Sequence, residues 1–265
     1  MNQTMSSVKT QPSDKRLKTQ LASFRFWLTT LLVIVAVAIM VRLGIWQLER
    51  LEQRRAFNAR VQAQLAQPPL ILNNETLQQK LFDMEYRTVI VQGQYDFANQ
   101  VALRNQAYQN RWGVHLLTPL KIKGTDQAIL VNRGWIPGEA FLSGDWSRFD
   151  QGGEVTIKGV IRRAQTKPDF GKRTDPVPAD GEPPLKAWNL ANVGAIARQI
   201  DYPIIPDVYI QQTEGEGEAA SLPIPAQIEL ELSEGPHLGY ALQWFTFAAI
   251  LGIGYPFFIK RRMGK

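Results

Sequence analysis

The 265-residue chain contains no cysteine. That excludes a disulfide framework, a thiolate metal site and a cysteine nucleophile. It names no compartment, although a cysteine-free domain is at ease in an oxidising space. Histidine is nearly as scarce: His115 and His237 are the only two, so constellations built on several imidazoles are not available. The chain also lacks G-x-S-x-G, H-E-x-x-H, Walker A and G-x-G-x-x-G. Acidic residues are plentiful, yet nothing in the sequence singles out a working pair, and the expectation is that this protein is not an enzyme.

A net charge of +6 invites a nucleic-acid reading, and its distribution argues against one. Residues 49–236 hold 20 Lys+Arg against 23 Asp+Glu. The basic excess lies at the ends: five bases and one acid precede residue 26, and four bases with no acid follow residue 259. This is the charge pattern of membrane flanks, so the expected contact is a lipid bilayer and not nucleic acid.

Long apolar runs are few, and both sit near the ends. Residues 26–41 (FWLTTLLVIVAVAIMV), extended past Arg42 by residues 43–46, reach the roughly 20 residues that a helical span requires. Residues 238–259 (LGYALQWFTFAAILGIGYPFFI) carry no charge. Trp27, Trp46 and Tyr240 lie where aromatic belts belong. Ala36-Val37-Ala38 resembles a signal-peptide cleavage site, but the apolar pattern runs on past it, so an uncleaved anchor is expected. Two spans with short basic tails put both termini in the cytoplasm and the long central domain outside. The N-terminal tail is a poor transit peptide, so a bacterial inner membrane with a periplasmic domain is expected.

Between the spans the sequence reads as a soluble domain. A polar helix continues the first span to about residue 65 and ends at Pro68-Pro69. Asn74 is a candidate cap for a short helix over residues 75–82. Strands are expected at residues 86–97, with Gly93 as a bulge, and at 100–104, 113–122, 128–136, 155–163, 208–212 and 228–232. Gly124-Thr125-Asp126 suggests a hairpin, and Asn192 a cap for a helix over 193–200. Residues 168–184 and 214–218 read as loops. The expected fold class is α+β: two transmembrane helices flank one mostly antiparallel β-rich extracytoplasmic domain. Its parts are a basic tail (1–25), a span (26–46), the domain with its helical entry (47–236), a second span (237–259) and a second basic tail (260–265).

Three patches stand out. In Leu43-Gly44-Ile45-Trp46-Gln47-Leu48-Glu49-Arg50 the span becomes polar helix, and Trp46 reads first as an interface anchor and Arg50 as a solvated charge. Val131-Asn132-Arg133-Gly134-Trp135-Ile136-Pro137 either stacks a cation on a ring or closes a turn, and the turn is favoured. At Gly235-Pro236-His237-Leu238-Gly239-Tyr240-Ala241-Leu242-Gln243-Trp244 the chain re-enters the bilayer. Helical spacing puts His237, Tyr240, Ala241 and Trp244 on one face. A lone histidine at a membrane boundary is most often an interfacial polar group. The sharper alternative is an axial haem ligand facing an aromatic-lined surface near lipid.

In this order and spacing, LGIWQLER, NRGWIP and HLGYALQWF resemble the Surfeit-locus (Surf/Shy) family of cytochrome c oxidase assembly factors. Leu103-Arg104-Asn105 followed by GVHLLTPL at 113–120 fits the same pattern, and the likeness covers residues 43–250. It implies assembly of a haem–copper oxidase by handling haem a on its way into the catalytic subunit. In bacterial relatives the histidine opening the second span is the proposed haem ligand, which here is His237. Family members often have Asn before it, where this chain has Gly235-Pro236.

The resulting expectation is a membrane haem-binding assembly factor. His237 would be on the iron, Tyr240 and Trp244 against the macrocycle, and Arg133 or Arg50 paired with the propionates. Expected partners are oxidase subunit I and haem a synthase. The rival expectation is a cofactor-free scaffold that clamps either of those partners during assembly.

Overall fold

The computed structural model describes residues 13–168, 171, 174–178, 181–213, 221–226 and 230–263. In chain order the elements are α1 (Ser13–Leu65), β1 (Leu70–Leu72), β2 (Thr88–Tyr95), β3 (Val101–Tyr108), β4 (Arg111–Ile122) and β5 (Ala128–Pro137). Then come α2 (Gly138–Leu142), β6 (Glu154–Arg163), β7 (Ala187–Trp188), α3 (Val193–Ala197), β8 (Val208–Gln212) and α4 (His237–Met263). They divide into two compact units: Met1–Asn58 with Leu232–Lys265, and Ala59–Glu231.

The first unit is a helical hairpin. Both helices are long and apolar enough to cross a membrane, and the 27 residues of α4 span about 40 Å at the α-helical rise. Large apolar side chains such as Leu31, Ile34, Leu242, Ile250 and Phe257 point outward, as lipid allows and water would not. Hydroxyls within the apolar stretches are satisfied locally: Thr30 Oγ1 donates to the Phe26 carbonyl at 2.9 Å and so accepts from the Tyr255 hydroxyl at 2.8 Å.

Contacts of α1 with α4 and with the segment leading into it advance steadily. Thr30 meets Tyr255, Val37 lies beside Gly252, Gly44 meets Phe245, and Arg55 makes a two-pronged ion pair with Glu234, both bonds 2.9 Å. Asn58 Nδ2 then donates to the Leu232 carbonyl at 2.7 Å. Numbers rise along one helix as they fall along the other, so the helices are antiparallel, with the start of α1 and the end of α4 on one side. These last contacts carry the hairpin past the expected spans, to Asn58 and Leu232.

The second unit is built on one eight-stranded sheet in the order β1-β2-β6-β8-β5-β4-β3-β7. Because β2 pairs with β4 as well as with β6, the five strands β2, β6, β8, β5 and β4 close into a barrel. Closure removes the free edges of those strands, and β3 and β7 extend the sheet beyond β4. All pairings are antiparallel except β1–β2, β3–β7 and β5–β8. Alternation along β2 buries Val89, Val91 and Tyr95, which pack with Leu120, Ile129, Ile157 and Ile210 in the barrel core. A second cluster gathers Trp188, Leu117, Leu130 and Ile196, and Asn192 caps α3 by accepting from the Ala195 N–H at 3.2 Å.

Several expectations need correction. Gly93 is no bulge: it pairs in register with both Ile122 and Val155, at the seam where the barrel closes. A Cβ there would lie 2.2 Å from the Lys121 carbonyl oxygen, so close backbone approach is what requires glycine. The short helix at 75–82 is two 3-10 turns, Thr76–Gln78 and Leu81–Met84; Asn74 does not cap it, and ahead of the first turn it is Asn73 whose Oδ1 accepts from the Thr76 and Glu75 N–H groups. Asn132 to Trp135 do not close a turn but run inside β5, across an irregularity opposite Leu116 and Leu117. The strand expected at 228–232 falls partly outside the described residues, and no strand covers 230–232.

Candidate functional site

The helical pitch splits the LGIWQLER stretch of α1 into two faces. Gly44, Gln47 and Leu51, spaced three and four apart, form one, on which Gly44 and Leu51 are buried. A Cβ at Gly44 would fall 2.6 Å from the Phe245 ring, so the missing side chain lets that ring sit against the helix. Trp46 and Arg50 form the other, exposed face, with the Arg50 guanidinium 5.8 Å above the Trp46 ring and Nη1 donating to Gln53 Oε1 at 3.0 Å.

His237 is the first residue of α4. The Pro236 carbonyl accepts from the Tyr240 N–H at 3.1 Å, so proline stands just ahead of the first turn, where its missing N–H costs nothing. The His237 ring is half-buried, and its Nδ1 lies 2.8 Å from Gln47 Oε1. An amide oxygen can only accept, so Nδ1 carries the hydrogen, and it is Nε2 that bears the lone pair in the uncharged form of such a ring. No described residue hydrogen-bonds to Nε2. Ala241, one turn on, is buried, while Tyr240 is exposed and Trp244 is half-buried with Phe247 edge-on to it. His237, Tyr240, Trp244 and Arg50 thus share the helical unit.

Arg133 lies in the barrel unit and is 3% exposed. Nη1 donates to Gln100 Oε1 at 3.0 Å, Nη2 donates to the Phe149 carbonyl, and the guanidinium stands 5.0 Å from both the Tyr95 and Phe97 rings. The cation does stack on rings, though not on its neighbour Trp135, which Arg111 covers at 5.9 Å. Burial pushes the Arg133 guanidinium below its ordinary value and the Tyr95 phenol up to about 12.

The other histidine is used in the opposite sense. Asn132 Oδ1 accepts from the Gly134 N–H at 3.1 Å, which turns its Nδ2 toward His115 Nδ1, also at 3.1 Å. Nδ2 can only donate, so His115 Nδ1 is the acceptor. Burial depresses the His115 imidazole to about 4. Among the described residues no group of three or more His, Asp or Glu is placed to hold a metal ion.

The SURF1 family model matches residues 34–249, most of the chain. The chain belongs to the SURF1 family. Among its relatives, Surfeit locus protein 1 of Homo sapiens is 25% identical over 243 residues, covering 86% of this chain and 75% of that one. A SURF1-like protein of Monosiga brevicollis is 25% identical over 234 residues, 84% of both chains, and one of Caenorhabditis briggsae 24% over 228 residues, 78% of this chain and 68% of that one. At the level of the SURF1 family this supports a role in cytochrome c oxidase assembly, in a family of assembly factors that is not a known enzyme class.

Two residues of the site had no role in the sequence reading: Gln47 and Gly44. The available signal was their spacing. A small residue and an amide three apart, in a helix leaving the bilayer, mark a face turned toward another helix.

Proposed function

We propose that this chain receives haem a at the outer leaflet of a bacterial inner membrane and delivers it to subunit I of a haem–copper oxidase. The observation that carries the reading is His237: an imidazole at the opening of an apolar helix, half exposed, with Nε2 unengaged among the described residues. Those are the requirements for an axial ligand at a membrane boundary. Tyr240 and Trp244 follow one and two turns along the same helix and offer ring surface for a macrocycle. Of the two arginines, Arg50 is exposed and open to a propionate, whereas the Arg133 guanidinium is enclosed in the barrel unit. Haem a, when bound, is the redox centre that the oxidase requires; this chain's part is to hold and orient it. The antiparallel hairpin and the basic tails support cytoplasmic termini and a periplasmic barrel. Haem a synthase is the proposed donor.

The test is purification from a strain that makes haem a. The wild-type chain is expected to carry a Soret band, and His237→Ala to lose it. If His237→Ala keeps wild-type occupancy and spectrum, the ligand assignment is overturned. A wild type without any Soret band would instead support the cofactor-free scaffold.

A further inference from the structure

We infer that Gln47 is the positioning residue for His237: its side-chain oxygen holds the ring in the Nδ1–H tautomer and turns Nε2 out as the ligand atom. The inference rests on the haem reading above for its purpose, and on geometry alone for its mechanism.

A neutral imidazole divides its hydrogen between two nitrogens, and free in water either form is accessible. A ligand must present a bare nitrogen, so a protein that keeps one ready has to occupy the other with an acceptor. Metal-binding histidines commonly have such a partner, and losing it weakens metal binding by about 10–100-fold. Gln47 Oε1, 2.8 Å from Nδ1, is that acceptor here. It comes from the other helix of the hairpin, 190 positions away in sequence, so the ligand is oriented only when the hairpin is assembled.

The rest of the face is built to permit this. Gly44, one turn before Gln47, admits the Phe245 ring where any side chain would hold it off. Beyond Gln47, the Arg55–Glu234 pair and the Asn58–Leu232 bond tie the same two segments together. A short, uncharged amide therefore reaches the ring from a packed interface. Nothing else in the described structure contacts Nδ1 by hydrogen bond.

The experiment uses the full chain in detergent, in two arms. With only two histidines, a 15N-histidine spectrum of the haem-free protein contains two rings, and His237→Ala identifies which is which. The expected result at pH 8 is a wild-type His237 hydrogenated on Nδ1, and a Gln47→Leu ring that shifts toward the Nε2–H form. A wild-type ring hydrogenated on Nε2, or a tautomer unchanged in Gln47→Leu, overturns the inference. The second arm reads haem. Gln47→Leu is expected to lower haem affinity about 10-fold or more, while Gln47→Glu, which still accepts from Nδ1–H, keeps occupancy and lowers the iron reduction potential.

A purely structural role for Gln47 would leave that potential unmoved, and this outcome overturns the positioning claim. An engineered disulfide between residues 37 and 252 reports separately whether Gln47→Leu still pairs its helices. A wild type with the expected tautomer but no Soret band overturns the haem reading alone. A normal Soret band at unchanged affinity in Gln47→Leu overturns the positioning claim alone.

Discussion

Replacing Arg133 by Met tests whether this buried guanidinium is a structural strut of the barrel unit. Arg133 is 3% exposed, donates to Gln100 Oε1 and the Phe149 carbonyl, and faces two aromatic rings at 5.0 Å. Among the described residues no carboxylate forms an ion pair with it; dipoles and ring faces surround its charge, and the Asp150 carboxylate acts on it at longer range. Hydrogen bonds from a charged donor contribute about 1.5–3 kcal/mol each, and a desolvated cation–π contact adds about 2 kcal/mol. Methionine forfeits these and takes the donor from the Phe149 carbonyl, while Gln100 Oε1 keeps its bond from Thr118 Oγ1 at 2.6 Å; it also spares the fold the cost of burying a cation, several kcal/mol on the same scale. The net expected loss is about 2–4 kcal/mol. For a unit the size of Ala59–Glu231 this lowers the melting temperature by about 5–15 °C. Thermal unfolding followed by near-ultraviolet circular dichroism is the assay, because Trp135 and Trp188 are buried in that unit. A midpoint within about 2 °C of wild type refutes the strut. Well below its own midpoint, the variant is expected to keep the Soret band.

Three further outcomes follow from the same geometry. Above about pH 6.5 His115 is neutral in both folded and unfolded chains; below it the unfolded chain takes up a proton that the folded ring, held near 4, refuses. Barrel stability is therefore full above pH 6.5 and falls by about 2 kcal/mol toward pH 4, after discounting for partial exposure, and equilibrium unfolding of His115→Phe should show that dependence removed. Gly93→Ala forces a Cβ to within 2.2 Å of a backbone oxygen at the seam, so limited proteolysis should cut the variant unit far faster than wild type; equal resistance would mean that the seam yields. Because the chain has no native cysteine, Val37→Cys with Gly252→Cys should cross-link on mild oxidation, whereas Ile39→Cys, on the outward face, with Gly252→Cys should not.

The strands were legible where apolar and β-branched residues cluster between turn signals, whether burial alternates as in β2 or is nearly continuous as in β5. Residues 208–212 were read to the residue, and β4, β5 and β6 to within two, because Val, Ile and Leu recur there between turn signals. What the residues do not announce is which strand closes on which. The β2–β4 pairing depends on a glycine whose meaning, close approach and not a bulge, appears only when Lys121 is seen opposite it. The same limit applies to NRGWIP. The favoured reading there is a turn, because the rings that receive the arginine, Tyr95 and Phe97, come from β2 and the turn after it, far away in sequence. At the membrane, hydropathy located both helices, and helical spacing put His237, Tyr240 and Trp244 on one helix face, yet neither shows which α1 residue meets the imidazole.

That missing partner decides what each histidine is able to do. Both rings are held at Nδ1 by a carboxamide, at 3.1 Å for His115 and 2.8 Å for His237, and a count of hydrogen bonds would treat them alike. The amides are turned in opposite senses. Asn132 spends its oxygen on the Gly134 N–H inside β5 and has only its NH2 to offer, so His115 must be bare at Nδ1, with its acceptor nitrogen sealed against another side chain. Gln47 offers its oxygen, so His237 is hydrogenated at Nδ1 and bare at Nε2, the atom that no described residue engages. Only the second arrangement leaves a lone pair for an incoming iron. The distinction therefore rests on the amide partners and not on the imidazoles: only reversing the sense of both carboxamides would exchange which histidine has a nitrogen to give.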